Sequence, residues 1–147
     1  MQIQPTPLED AESLLINLEQ EVKNLNIQYE SKQSERILSN HIWMTTVFEE
    51  RLMPRANKLK ESLVKIKGTY APVFKSTTQF DAPLLHCEEI VKALGEVLYL
   101  YKIRANASDI KIKMQQAMPK LMSNLTSLRN RFYIVKGNVT RGKQIDA

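Results

Sequence analysis

The residues best suited to chemistry stand together at His86-Cys87-Glu88-Glu89, three metal-capable side-chain types in four consecutive positions. A zinc site needs three or four such ligands, and the one other histidine in the chain is His41. His86 and Glu89 share a helix face at a spacing of three. A di-iron bundle, however, repeats a Glu-x-x-His pair on two helices and turns further carboxylates inward, and no glutamate stands three residues before either histidine. Cys87 falls on an apolar stripe, where cysteine behaves as a small buried hydrophobe. The chain has no Gly-rich phosphate loop, no Gly-x-Ser-x-Gly elbow and no Gly-Lys-Ser/Thr sequence. The expectation is therefore a protein with no catalytic residues, no cofactor, no metal and no small-molecule substrate.

Charge offers a second kind of chemistry. The formal net charge is +5, but its distribution is uneven. The first 50 residues carry nine acidic and three basic side chains, a net −6; the rest carry seven acidic and 18 basic, a net +11. Basic residues gather twice, at Arg51, Arg55, Lys58, Lys60, Lys65 and Lys67, and again at Arg129, Arg131 and Lys136. Such patches suit nucleic acid, an anionic membrane surface or an acidic protein. They equally suit the chain's own acidic N-terminal helix, or a plain solvated surface. Base-stacking aromatics are not interleaved with them, apart from Phe132-Tyr133, which weakens the case for a specific nucleic-acid reader.

The elements that carry these residues read as helices throughout. Four glycines and six prolines in 147 residues are too few for the turns of a many-stranded sheet. With 43% hydrophobic and 25% charged residues, the composition is that of a globular chain. Thr6-Pro7-Leu8-Glu9 forms a capping box with proline at the first helical position. Leu8, Ala11, Leu15, Leu18, Val22, Leu25 and Tyr29 follow at alternating spacings of three and four, the pattern of a coiled-coil seam that wants one partner helix, either in the same chain or in another. The polar stretch Tyr29–Asn40 is expected to be a continuation or a short interruption. A second apolar phase runs from Ile37 to Ile66 across Pro54, and Gly68 is expected to stop it. Residues 69–83 read as the main loop, with Tyr70, Phe74 and Phe80 packing inward and Asp81 capping the next helix. That helix carries Leu84, Cys87, Val91, Leu94, Leu98 and Tyr101. After a boundary at Asn106–Asp109, with Ser108 as the cap, the last helix carries Ile110 to Val135 and ends at Gly137-Asn138.

The expected architecture is all-α: an elongated helical bundle or coiled-coil hairpin of about four helices, two of them interrupted by Pro54 and Pro119. It forms one domain over residues 1–147, with long helices at 7–67, the loop at 69–83, a helical hairpin at 84–136 and a frayed tail at 138–147. A continuous rod over 7–67 would reach about 90 Å, so it must fold back at Tyr29–Asn40 or Pro54, or project towards a partner. In general form the chain resembles small coiled-coil subunits of larger intracellular assemblies. The expected function is a non-catalytic scaffold or interaction subunit. Its seam at Leu8–Tyr29 would pair with another helical subunit or a second copy, in the cytoplasm or nucleus, since the first residues lack the features of a signal peptide. Binding of nucleic acid or a membrane through the basic patches is the alternative, and a small helical assembly or secretion chaperone is a third.

Overall fold

The computed structural model describes residues 6–31, 37–74 and 78–146 and, within them, all side chains except those of residues 28–31, 37–41, 73 and 142–146. Among the described residues every element is helical. The order is α1 (Pro7–Ser31), α2 (Ile37–Thr46), a π-helical turn (Val47–Leu52), α3 (Met53–Tyr70), a 3-10 turn (Ala71–Val73), α4 (Thr78–Lys102) and α5 (Ala107–Asp146).

Cross-links between helices set the directions. Glu21 pairs with Arg55, Lys67 with Asp81, Glu49 with Lys102 and Glu96 with Lys113. Glu12 and Glu19 meet Lys136 and Arg129, which closes α5 back onto α1. The helices therefore alternate up and down around one ring. A single apolar cluster runs through the ring from Leu8 to Val139, with Phe48, Phe80 and Phe132 among its largest fully buried side chains. The all-α bundle is the architecture the periodicity implies.

The chain does not fold back at Pro54, because helix runs without a break from α2 through the π turn into α3, which packs against α1. Residues 32–36 themselves lie outside the described ones. At Pro54 the helix instead widens. Core residues Met44, Phe48, Leu52 and Ala56 follow one another at three successive spacings of four. An α-helix would let that row drift around its surface, because its turn holds 3.6 residues. The π turn absorbs the drift, with the Met53 N–H bonded back to the Phe48 carbonyl, five residues earlier. It also makes room for the proline ring, and the Arg55 guanidinium donates to the Arg51 carbonyl at 2.8 Å.

Pro119 behaves differently. It lies inside α5 without ending it, on the exposed side, where a helix curving around a core is convex and its hydrogen bonds already lengthen. The expected interruption is absent there. Gly137-Asn138 does not stop α5 either. The helix continues to Asp146 and Val139 is buried, so another apolar contact outweighs the weak helix preference of glycine. Most of the expected tail is thus helix, and Ala147 lies outside the described residues.

The loop is shorter than the Ser/Thr and proline run suggests. Helix α3 passes Gly68 to Tyr70, and α4 starts at Thr78 with Asp81 already in its first turn. The aromatics close the gap: Tyr70 is buried, and Phe74 meets the buried Phe80 edge-on at 5.7 Å between centroids. Two helix ends have explicit caps. The Glu9 N–H donates to the Thr6 hydroxyl at 3.2 Å. At α5 the cap is Asn106, not Ser108: the Asp109 N–H donates to Asn106 Oδ1 at 2.8 Å, and the Asn106 amide returns a bond to the Asp109 carboxylate at 3.0 Å.

Candidate functional site

The His86–Glu89 cluster does not converge. Cys87 is fully buried in the α3–α4 interface with its thiol directed at the Ala56 carbonyl, 3.6 Å away, and burial pushes its pKa up to about 12. Such a thiol is protonated and unreactive at neutral pH. His86 is half-buried and turns to α5, where its Nδ1 lies 3.0 Å from Asn124 Oδ1. The Asn124 amide nitrogen is committed to the Lys120 carbonyl at 2.9 Å, so Oδ1 accepts and His86 Nδ1 carries the hydrogen. Glu88 and Glu89 are exposed. Among the described residues no three His, Cys, Asp or Glu side chains gather as metal ligands. The side chain of His41 lies outside them.

The seam of α1 is closed inside the chain. Leu8, Ala11, Leu15, Leu18, Val22 and Leu25 are all buried, Leu18 at 0% exposure, between α3 on one flank and α5 on the other. The Tyr29 side chain lies outside the described residues. A stripe two residues wide per heptad suffices for two neighbours here because ion pairs and the partly buried Leu14 cover its margins. In this arrangement the surface expected to meet a second subunit meets its own bundle.

Those ion pairs also account for much of the charge asymmetry. Lys136 Nζ lies 2.9 Å from Glu12, Arg129 3.3 Å from Glu19 and Arg55 4.0 Å from Glu21, so the acidic helix neutralises one basic residue of α3 and two of α5. The hydrogen bond from Lys136, and after it one from Tyr133, holds the Glu12 carboxyl below the usual carboxylate range. Lys67 pairs with Asp81 at 2.6 Å. Arg51, Lys58, Lys60, Lys65 and Arg131 make no ion pair among the described residues. Arg51 in the π turn and Lys58 and Lys65 in α3 recur at spacings of seven, and all three are exposed. Lys60 is half-buried, and its charge opposes, without cancelling, the rise that burial causes in the Cys87 pKa.

The surface feature that the sequence reading missed is apolar. Tyr99 near the end of α4 and Ile103 in the turn just after it are 59% and 53% exposed. Beside them an open trough of about 490 Å³ runs between α4 and α5, lined by Lys92, Gly95, Glu96, Tyr99, Leu100 and Lys113. Lys113 bridges to Glu96 across it at 2.5 Å. That bond, with the charges of Lys92 and Lys120 nearby, holds the Glu96 carboxyl below its usual range. A β-carbon added at Gly95 would meet nothing within 4 Å.

Four residues beyond Leu100 the backbone has an outlier. Arg104 has φ 55°, the left-handed conformation that glycine ordinarily supplies. It closes α4 in a Schellman motif: the Ala105 N–H donates to the Leu100 carbonyl at 3.0 Å and the Arg104 N–H to that of Tyr101 at 3.2 Å. The available signal was the Tyr99-x-x-x-Ile103 spacing. It was masked by the stronger apolar stripe on the same helix.

No helix among the described residues is long and apolar enough to cross a membrane. No family model, curated protein or solved structure matches the chain.

Proposed function

We propose that this protein is a non-catalytic helical interaction module that recruits a partner protein to the outer surface of its bundle. The observation that carries this reading is the exposed Tyr99–Ile103 pair beside an open trough on a helix whose core-facing stripe is otherwise fully packed. Single exposed apolar side chains are ordinary, but grouped ones beside a concave surface mark contact sites. The scaffold role inferred for the α1 seam moves to this surface, because the seam already has its neighbours. A cytoplasmic or nuclear setting accompanies the reading, in keeping with a single buried, unpaired thiol.

Affinity capture from the native host, coupled to cross-linking at surface positions, tests it. The expected result is one partner at fixed stoichiometry, lost on Tyr99→Glu/Ile103→Glu and retained on Ile16→Glu, a change at another exposed apolar position. Capture of no stoichiometric partner, or capture indifferent to the double substitution, would sink the proposal.

A second reading is supported by the exposed row Arg51, Lys58 and Lys65, which among the described residues lack the ion pairs that Arg55 and Lys67 have. Three aligned cations suit an anionic polymer or lipid surface, whose signature is steep salt dependence. Charge reversal at Lys58 and Lys65 should then abolish binding to nucleic acid or anionic vesicles.

A further inference from the structure

We infer that the π turn is a joint, made by one extra residue in the seam of α2 and α3, at which α2 lifts from the bundle while α3 stays packed.

The core row before Pro54 is out of phase with an α-helix. From Met44 through Phe48 and Leu52 to Ala56 the buried residues advance by four each time. Over that stretch an α-helix turns about 120° past three full turns, which would carry the row out of the core. Beyond Ala56 the buried residues Leu59, Leu63 and Ile66 follow at three, four and three. With one residue fewer between Phe48 and Leu52, the run from Met44 to Ile66 would read four, three, four, three, four, three. The drift from Met44 to Ala56 would then shrink to about 20°. The π turn is thus the place where a heptad seam accommodates one residue too many. The surplus lies on the solvent side, where Glu49, Glu50 and Arg51 are exposed.

The two helices that meet at this turn are held unequally. The turn itself is clamped: Val47, Phe48 and Leu52 are buried, and it packs on both α1 and α4. Helix α3 beyond it also packs on α1 and α4, whereas α2 packs chiefly on α4. Of residues 42–46, whose side chains are described, Met44 is the one fully buried; Trp43 is half-buried and Ile42 is 68% exposed. The bond from the Met53 N–H to the Phe48 carbonyl interrupts the regular α-helical ladder, so α2 and α3 do not form one uniform rod. An element with few buried contacts opens more readily than the core. Opening of α2 pivots on the clamped turn and bares Met44 with the α4 surface beneath it, an apolar face absent from the closed form.

Hydrogen exchange of the full chain, read by mass spectrometry, tests this together with acrylamide quenching of Trp43, the single tryptophan. In wild type the α2 amides should exchange about tenfold or more faster than those of α3. Deletion of Glu50 should leave helicity and the thermal midpoint at or above wild type. It should also narrow the exchange gap and reduce quenching of Trp43, because α2 then continues α3 as one α-helix. Deletion of Glu61, an exposed residue inside α3, rotates the seam by about 100° with no surplus to absorb it. That variant should lose the cooperative thermal transition.

Equal exchange of α2 and α3 in wild type overturns the joint. So does a Glu50 deletion that destabilises the chain as much as the Glu61 deletion, or one that folds and leaves the exchange gap as wide. Equal tolerance of both deletions overturns it as well, because the turn would then hold no surplus residue.

Discussion

The α1 seam and the outer row of α4 are both written as apolar residues at helical spacing, yet one is closed and the other open. From Leu8 to Leu25 every seam residue is buried, because α1 has a helix on either flank, although Ile16 and Ile27 on its outer side stay exposed. Helix α4 carries a core stripe and, on its outer side among Glu88, Glu89, Lys92 and Glu96, a few apolar residues. Cys87, Ile90, Leu94, Val97 and Tyr101 take the core, and Leu85, Tyr99 and Ile103 are left facing outward. A helix in a ring has one inward direction, so apolar residues on its outer side have nothing within the chain to cover them. The contrast teaches that regular spacing marks a helix face, whereas the number of neighbours decides whether that face belongs to the fold or to a partner.

The comparison breaks first, and hardest, at Leu18. Leu18→Asp places a carboxylate at a position with no access to water, and we expect a loss of more than about 4 kcal/mol and collapse of helicity by circular dichroism. The milder Leu18→Ala should lower the denaturant-extrapolated stability by about 2–5 kcal/mol. If either protein kept wild-type stability and lost only a binding partner, the seam would be an interface after all.

Effects at the turn and the margin should be smaller. Arg104→Gly relieves the left-handed strain at the end of the open row and should add up to about 1 kcal/mol, read as a raised thermal midpoint. The Glu12–Lys136 pair, which borders the closed row, is partly exposed. A double-mutant cycle with Glu12→Gln and Lys136→Met should return no more than about 1 kcal/mol of coupling. Its pH dependence follows from the directions of shift. Glu12 is lowered, so the contribution is complete above the ordinary carboxylate range and is lost as pH falls through the lowered value. Lys136 is raised, chiefly by its hydrogen bond to Glu12, so the contribution is present below the ordinary lysine range and is lost as pH rises through the raised value. Urea denaturation of wild type and Lys136→Met at several pH values checks both limits.

The smallest effect on stability belongs to the open row itself. Tyr99→Glu/Ile103→Glu should change stability by less than about 0.5 kcal/mol, with all loss confined to partner capture. A large destabilisation there would mean that Tyr99 and Ile103 support the fold and that the two rows do not differ.

Much of the bundle was legible from the chain. The Thr6 cap, the seam and the Ile110–Val135 stripe all follow from spacing and end signals, and the structure places those described residues in the core. Legibility failed where one signal competed with another of unknown strength. Gly68 and Gly137 read as stops, but helix continues through both because Tyr70 and Val139 find core contacts beyond them. Ser108 and Asn106 were both competent caps, and the reciprocal bond with Asp109 selected Asn106. The two Met-Pro-basic sequences, Met53-Pro-Arg and Met118-Pro-Lys, look alike. The first follows a π turn, whereas in the second Met118 is buried and Pro119 lies on the solvent side of an uninterrupted α5.

The sequence by itself determined the all-α class, the helix-forming segments and the segregation of acidic from basic residues, since periodicity, capping and charge are local properties of the chain. Tertiary structure alone decided which stripe meets which. It turned the acidic helix against Arg55, Arg129 and Lys136, so that much of the charge asymmetry is satisfied internally, and it left Arg51, Lys58 and Lys65 facing solvent. It also placed Lys113 of α5 on Glu96 of α4 beside Tyr99. Long-range packing depends on how many neighbours a helix acquires, and no local pattern records that number.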